Sequence, residues 1–178
     1  MIELSSIAAG FLVQDTMLKA AEVKLLVART VCPGKYIIII GGKVASVTAS
    51  LRSGRQAAEG FLVDELQISN VDEMIFPALS GSVDLPKKNQ QAIGIIETFS
   101  SASVIDAADA AVKAAQVTLV RIHVAMAIGG KGFLMICGDV AAVRTAVEAG
   151  AARIKNGGVL VNKVVITGAS KELFKEFI

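Results

Sequence analysis

Tryptophan is absent and aromatic residues make up only 4% of the 178 positions, so a platform on which nucleobases stack is not expected. A single histidine, His123, excludes a multi-histidine metal centre and the His-Glu-x-x-His zinc motif. Two cysteines, Cys32 and Cys137, are too few for a disulfide framework, and a reducing, cytoplasmic setting is the expectation. Neither sign of charge dominates: 18 Lys and Arg face 16 Asp and Glu, a net charge of +2. Lys87-Lys88 is the only adjacent basic pair, so neither nucleic acid nor an anionic membrane is an expected partner. Long hydrophobic runs are also missing. Met74 to Val83, among the longest charge-free stretches at ten residues, contains a Pro and a Gly. A membrane-spanning helix needs roughly 18–20 apolar residues. The start, Met1-Ile2-Glu3-Leu4, lacks a basic region followed by an apolar one, so no secretory signal is expected.

What is present is apolar and small. Hydrophobic residues reach 53%, mainly Ala, Val and Ile, and the mean hydropathy is +0.62. With no membrane span to account for it, this composition implies that much surface is buried against other subunits.

The chain also repeats itself. At an offset of 94, Ile2-Glu3 aligns with Ile96-Glu97, Asp15 with Asp109, Lys19 with Lys113, Ala20-Ala21 with Ala114-Ala115, and Leu25 with Leu119. Past position 33 the offset becomes 96, pairing Gly34-Lys35 with Gly130-Lys131, Ile40 with Ile136 and Val44 with Val140. One shift, confined to a loop, separates two long runs in constant register, which is the mark of a tandem duplication.

Each copy has the same pattern. A short strand ends at the Glu, and a helix follows over Val13–Ala21 or Val104–Ala115, with Asp106 and Asp109 in its first turns. Apolar strands are expected over Val23–Arg29 and Tyr36–Ile40, and over Val117–Val124 and Phe133–Cys137. A second helix (Val44–Ala58, Val140–Ile154) and a last strand (Leu62–Ile68, Val159–Ile166) complete each unit. The order β-α-β-β-α-β is the ferredoxin-like split βαβ arrangement, an α/β (α+β) fold present twice. The expected domains are 1–80 and 90–178, joined by a linker at 81–89. Residues Gln91 to Ile95 precede Ile96-Glu97 but nothing precedes Met1, so the first strand reads as clipped or the true start lies upstream.

No catalytic constellation emerges, and the chain reads as a non-enzyme. There is no Gly-x-Gly-x-x-Gly, and Tyr36 and Gly132 stand where a phosphate loop needs Ser or Thr after its Lys. Glu3 and Glu97 occupy equivalent positions and read as a repeated structural feature rather than an acid/base pair. His123, equivalent to Arg29, reads as a satisfied, partly buried side chain, and Cys137 as a small buried hydrophobe.

The stretches Asp15-Thr16-Met17-Leu18-Lys19-Ala20-Ala21-Glu22-Val23 and Asp109-Ala110-Ala111-Val112-Lys113-Ala114-Ala115-Gln116-Val117 resemble, twice over, the signature helix-to-strand segment of bacterial microcompartment (BMC) shell domains. The resemblance covers essentially the whole chain. It implies a homotrimer whose six domains mimic a hexagonal tile, packed edge to edge with other BMC shell proteins around encapsulated enzymes, redox enzymes among them. It places Lys19 and Lys113 at the tile edge. The Pro-Arg-type edge motif common in the family is replaced by Ser69-Asn70-Val71 and Thr167-Gly168-Ala169. It places two loops at the central pore: Val31, Cys32, Pro33, Gly34 and Lys35 in the first copy, and Met126, Ala127, Ile128, Gly129 and Gly130 in the second.

The Cys-Pro-Gly-Lys loop resembles that of tandem-domain shell proteins carrying an iron–sulfur cluster. It implies a [4Fe–4S] cluster, one per trimer, bound by Cys32 of three subunits, with Lys35 and loop N–H groups as possible sources of electrostatic support. Met126, the counterpart of Cys32, is a poor cluster ligand, so only alternate loops offer sulfur. Such a tile would transfer electrons or clusters across the shell. The alternatives are a tile whose pore only passes metabolites, and a trimeric ferredoxin-like small-ligand sensor.

Overall fold

The computed structural model describes residues 1–84, 91–170 and 172–173. Two compact units are present. Met1–Ser69 forms one together with Ala125–Gly130, and Asn70–Val124 with Lys131–Ile178 forms the other. Part of the expected linker, residues 85–89, lies outside the described residues.

The first unit runs β1 (Ile2–Leu4), α1 (Ile7–Ala20), β2 (Lys24–Val31), β3 (Lys35–Gly41), α2 (Val44–Ala57) and β4 (Leu62–Glu65). A short helix, α3 (Ile75–Ser80), clusters with the second unit. There follow β5 (Ala92–Thr98), α4 (Ser101–Ala114), β6 (Thr118–Val124), β7 (Gly132–Gly138), α5 (Val140–Ile154) and β8 (Leu160–Thr167). The sheets have orders β2-β3-β1-β4 and β6-β7-β5-β8, with every pairing antiparallel. This is the split βαβ topology, twice. Even the irregularities recur, with a bulge after Glu3 and Glu97 and another after Leu25 and Leu119.

The first helix of each unit starts earlier than apolar spacing suggests, at Ile7 and Ser101 rather than Val13 and Val104. The reason is capping. Ser6 and Ser100 are extended, and their side chains accept from the N–H of Ala9 and Ser103. Asp106 and Asp109 consequently fall beyond the first turn. Helix α3, not anticipated, lies in the charge-free run from Met74; Pro77 is tolerated in its first turn, and Gly81 closes it at φ 72°. Strand β4 stops at Glu65, short of the expected Ile68.

Period-2 alternation decides which side chains meet the helices. In the first unit Ile2, Leu4, Tyr36, Ile38 and Ile40 join Val13, Met17 and Leu51 in one core. Gly10 lets α1 close on β3, since a Cβ there would lie 2.4 Å from the Tyr36 ring. On the other face of the second sheet, Ile93, Val120, Met135 and Cys137 pack with Ile95, Ala169 and Leu173. The interior strands β3 and β7 are therefore apolar on both faces.

Candidate functional site

The β2–β3 connection is the three-residue loop Cys32-Pro33-Gly34, closed by the Val31–Lys35 pair. Cys32 is partly exposed, Pro33 and Gly34 are exposed, and the Cys32–Pro33 peptide is cis. Gly34 has φ 80°, and a Cβ there would meet nothing within 4 Å, so the glycine serves the turn. The loop of the second copy is longer and packs in the same compact unit. Ala125, Ala127, Gly129 and Gly130 all take left-handed backbone, with φ of 52°, 62°, 66° and 84°. For the two alanines this conformation costs about 1–2 kcal/mol each.

The two loops touch through backbone. The Cys32 N–H donates to the Ala125 carbonyl at 3.0 Å. A Cβ at Gly130 would come within 3.1 Å of the Cys32 carbonyl oxygen and of Pro33 Cδ. Expected pore residues of both copies thus lie together, with Met126 and Gly129 exposed and Ile128 half-buried. Two sources of electrostatic support suggested by the sequence are already engaged. The Cys32 amide is committed to Ala125, and the Lys35 ammonium pairs with Glu3 Oε1 at 2.7 Å. The same pair recurs as Lys131 with Glu97.

These glutamates belong to a row across each sheet. Register places Arg29, Ile37, Glu3 and Asp64 side by side in the first, and His123, Phe133, Glu97 and Asn162 in the second. His123 stacks on Phe133 with ring centroids 5.3 Å apart. Glu3 is almost fully buried, and its Oε2 has no hydrogen-bond partner among the described residues.

Cys137 is fully buried in β7. Burial pushes its thiol pKa up, against a smaller opposing effect from a hydrogen bond to Thr118. Among the described residues no group of three or more His, Cys, Asp or Glu could hold a metal ion. A single chain therefore offers a lone partly exposed thiol, which fits a cluster only as one ligand of several.

Lys19 and Lys113 end the first helix of their units. Lys19 is 75% exposed and pairs with Asp15 at 2.6 Å. Lys113 is 40% exposed, pairs with Asp109 at 2.6 Å, and also donates to the Asn70 carbonyl at 2.8 Å. Asp109 in turn accepts from the Asp72 N–H at 2.8 Å. The Asp partners have a local signal in the sequence, the repeated Asp-x-x-x-Lys spacing of Asp15–Lys19 and Asp109–Lys113.

A family model described as the BMC domain matches twice, at residues 1–71 and 92–169. The chain belongs to the bacterial microcompartment shell-protein family. It is 42% identical over 177 residues to bacterial microcompartment shell protein PduT of Citrobacter freundii, covering 99% of this chain and 95% of that one. It is similar to the crystal structure of a microcompartments protein from Desulfitobacterium hafniense DCB, with a TM-score of 0.90 and 45% identity over 98% of this chain and 96% of the other. The fused permuted hexameric shell protein MSM0275 from the RMM microcompartment is also similar, with a TM-score of 0.64 and 25% identity over 86% and 81% of the two chains. Among the described residues no helix of this shell-family chain is long and apolar enough to cross a membrane.

Proposed function

We propose that this BMC shell protein assembles as a homotrimeric, pseudo-hexagonal tile, and that its pore holds one [4Fe–4S] cluster through Cys32 of the three subunits. The tile packs with other shell proteins, and its role is assembly and passage across the shell rather than catalysis. Duplication supports the ring: two family domains in one chain make six from three chains. The hexameric description of a structural neighbour and the unusually apolar composition point the same way.

The observation that carries the cluster reading is the backbone contact of Cys32 with Ala125. It pairs a cysteine-bearing loop with a loop whose counterpart residue is Met126. If three such pairs surround an axis, three thiols alternate with three thioethers, and the three Cys32 sulfurs face one another. Thiolates are the usual ligands of such clusters, and a fourth iron would take water or an external ligand. Bound there, the cluster would supply one-electron transfer. The chain's own residues set the geometry: Gly34 permits the tight turn, Gly130 permits the close approach of the second loop, and the Glu3–Lys35 pair ties the loop's end to β1. The similarity to the PduT shell protein agrees with this reading.

Anaerobic purification or reconstitution, followed by iron and acid-labile sulfide analysis and EPR after reduction, tests it. The expected result is about four iron and four sulfide per three chains, lost in Cys32→Ser without loss of the assembly. An iron-free protein after reconstitution, indistinguishable from Cys32→Ser, would overturn the cluster and leave a tile whose pore passes metabolites.

A further inference from the structure

The two copies share a fold but not an environment. In the second unit, the segment leading into α3 lies against α4. The Asn70 carbonyl accepts from Lys113 at 2.8 Å, and the Asp72 N–H donates to Asp109 at 2.8 Å. Helix α3 then packs on β6 and α4. The corresponding helix and strand of the first unit, α1 and β2, carry the same Asp–Lys pair, Asp15 and Lys19, but no element of their unit takes the place of α3. The exposed side chains register the difference. Phe11 is 61% exposed where its counterpart Ile105 is 5%, and Leu25 is 36% exposed where Leu119 is 1%.

An occupant of matching chemistry exists at the other end of the chain. Leu62 and Leu160 hold the same place, each paired across the bulge of the first strand. Counting on from them, Asn70 corresponds to Gly168 and Asp72 to Ser170. The correspondence extends to conformation: Asn70 and Gly168 are both left-handed, at φ 57° and 63°. Gly168 and Ser170 are exposed, and the segment is anchored from behind by the Gly168 N–H donating to the Gln91 carbonyl at 2.9 Å.

We infer that the face of α1 carrying Asp15 and Lys19 is the docking site for the Gly168–Ser170 segment of a second copy of this chain. Lys19 donates to the Gly168 carbonyl and Asp15 accepts from the Ser170 N–H, repeating between chains the joint seen within the second unit. The partners are backbone groups, so the joint needs no particular side chain at 168–170. That accounts for how Ser-Asn-Val and Thr-Gly-Ala can both serve. A head-to-tail contact of this kind leaves one donor end and one acceptor face on every chain until a ring closes. The inference rests on the proposed ring and assigns Lys19 to the joint between chains of one tile.

The test is hydrogen–deuterium exchange of the intact protein over peptides covering 166–173, run beside sedimentation. Wild type, Asp15→Ala, Lys19→Ala and the acceptor-retaining Asp15→Asn are compared. In the assembled wild type and in Asp15→Asn, the amides of this segment should exchange about tenfold more slowly than in Asp15→Ala or Lys19→Ala, while peptides covering 70–73 stay unchanged. An assembly of full size in which exchange at 166–173 is the same in all four proteins would overturn the joint and leave the tile standing. A wild-type monomer in sedimentation would overturn both.

Discussion

Glu3 and Glu97 illustrate how one residue in one fold position can carry different energetic weight. Both pair with the Lys that follows the pore-loop glycine, but Glu3 is 1% exposed and Glu97 32%. Removing Glu3 leaves Lys35, itself only 22% exposed, without its partner, whereas the Glu97–Lys131 pair is open to water on both sides and is worth less. Glu3→Ala should therefore lower unfolding free energy by about 3 kcal/mol, and Glu97→Ala by less than about 1 kcal/mol, as measured by urea denaturation. Equal costs would show that the loop anchor does not depend on burial. The sequence made the glutamates visible as a repeated feature but not their partners. Glu3 and Lys35 meet only because β1 lies beside β3, a pairing across 32 residues that no local pattern encodes. Cys32, by contrast, is legible as a loop thiol and Cys137 as a buried one, because a Pro-Gly loop and an apolar strand are local signals; the half-exposure of Cys32 and the three-residue length of its loop come from the structure.

Among the elements, strands and second helices were the most readable. Val140–Ile154 was expected to the residue, because uninterrupted apolar spacing and a preceding loop mark both ends. The first helices were read too short, because their opening turns rely on Ser6 and Ser100 and, in α1, include Gly10, which weakens the helical signal. That glycine is explained only by the Tyr36 ring against it. Helix α3 has no local signal, since an apolar run holding Pro and Gly reads as a loop; its reason lies in β6 and α4, against which it packs. Helix contacts also give a graded prediction. A Cβ on Gly150 would stand 2.7 Å from the Ala107 carbonyl oxygen of α4, which is backbone and held in place. A Cβ on Gly54 would meet side-chain atoms only, Met17 Cγ at 2.6 Å and Ile2 Cδ1 at 2.8 Å, which are buried but yield more readily than backbone. After allowing about 1 kcal/mol of helix propensity gained, Gly150→Ala should cost about 2 kcal/mol net and Gly54→Ala under about 1 kcal/mol. Urea denaturation of the two variants checks the ranking, and a Gly54→Ala variant less stable than Gly150→Ala would reverse the account of which contact is rigid.

At the level of the whole molecule, the duplication explains the composition. A chain that is 53% hydrophobic, with no membrane-length helix among the described residues, leaves apolar side chains such as Phe11, Leu12 and Phe99 exposed, and the proposed assembly is where they would be covered. The copies diverge where function is proposed to differ, with Cys32 against Met126 at the loops, and with a face of α4 covered by the segment leading into α3 where the described residues place no counterpart on α1. The central claim is that three chains close one ring around one metal site. Native mass spectrometry of the anaerobically reconstituted protein addresses it directly. The account predicts a trimer carrying the added mass of a single [4Fe–4S] cluster, and an apo trimer for Cys32→Ser. A monomer, or a trimer whose mass is the bare sum of its chains, would contradict it.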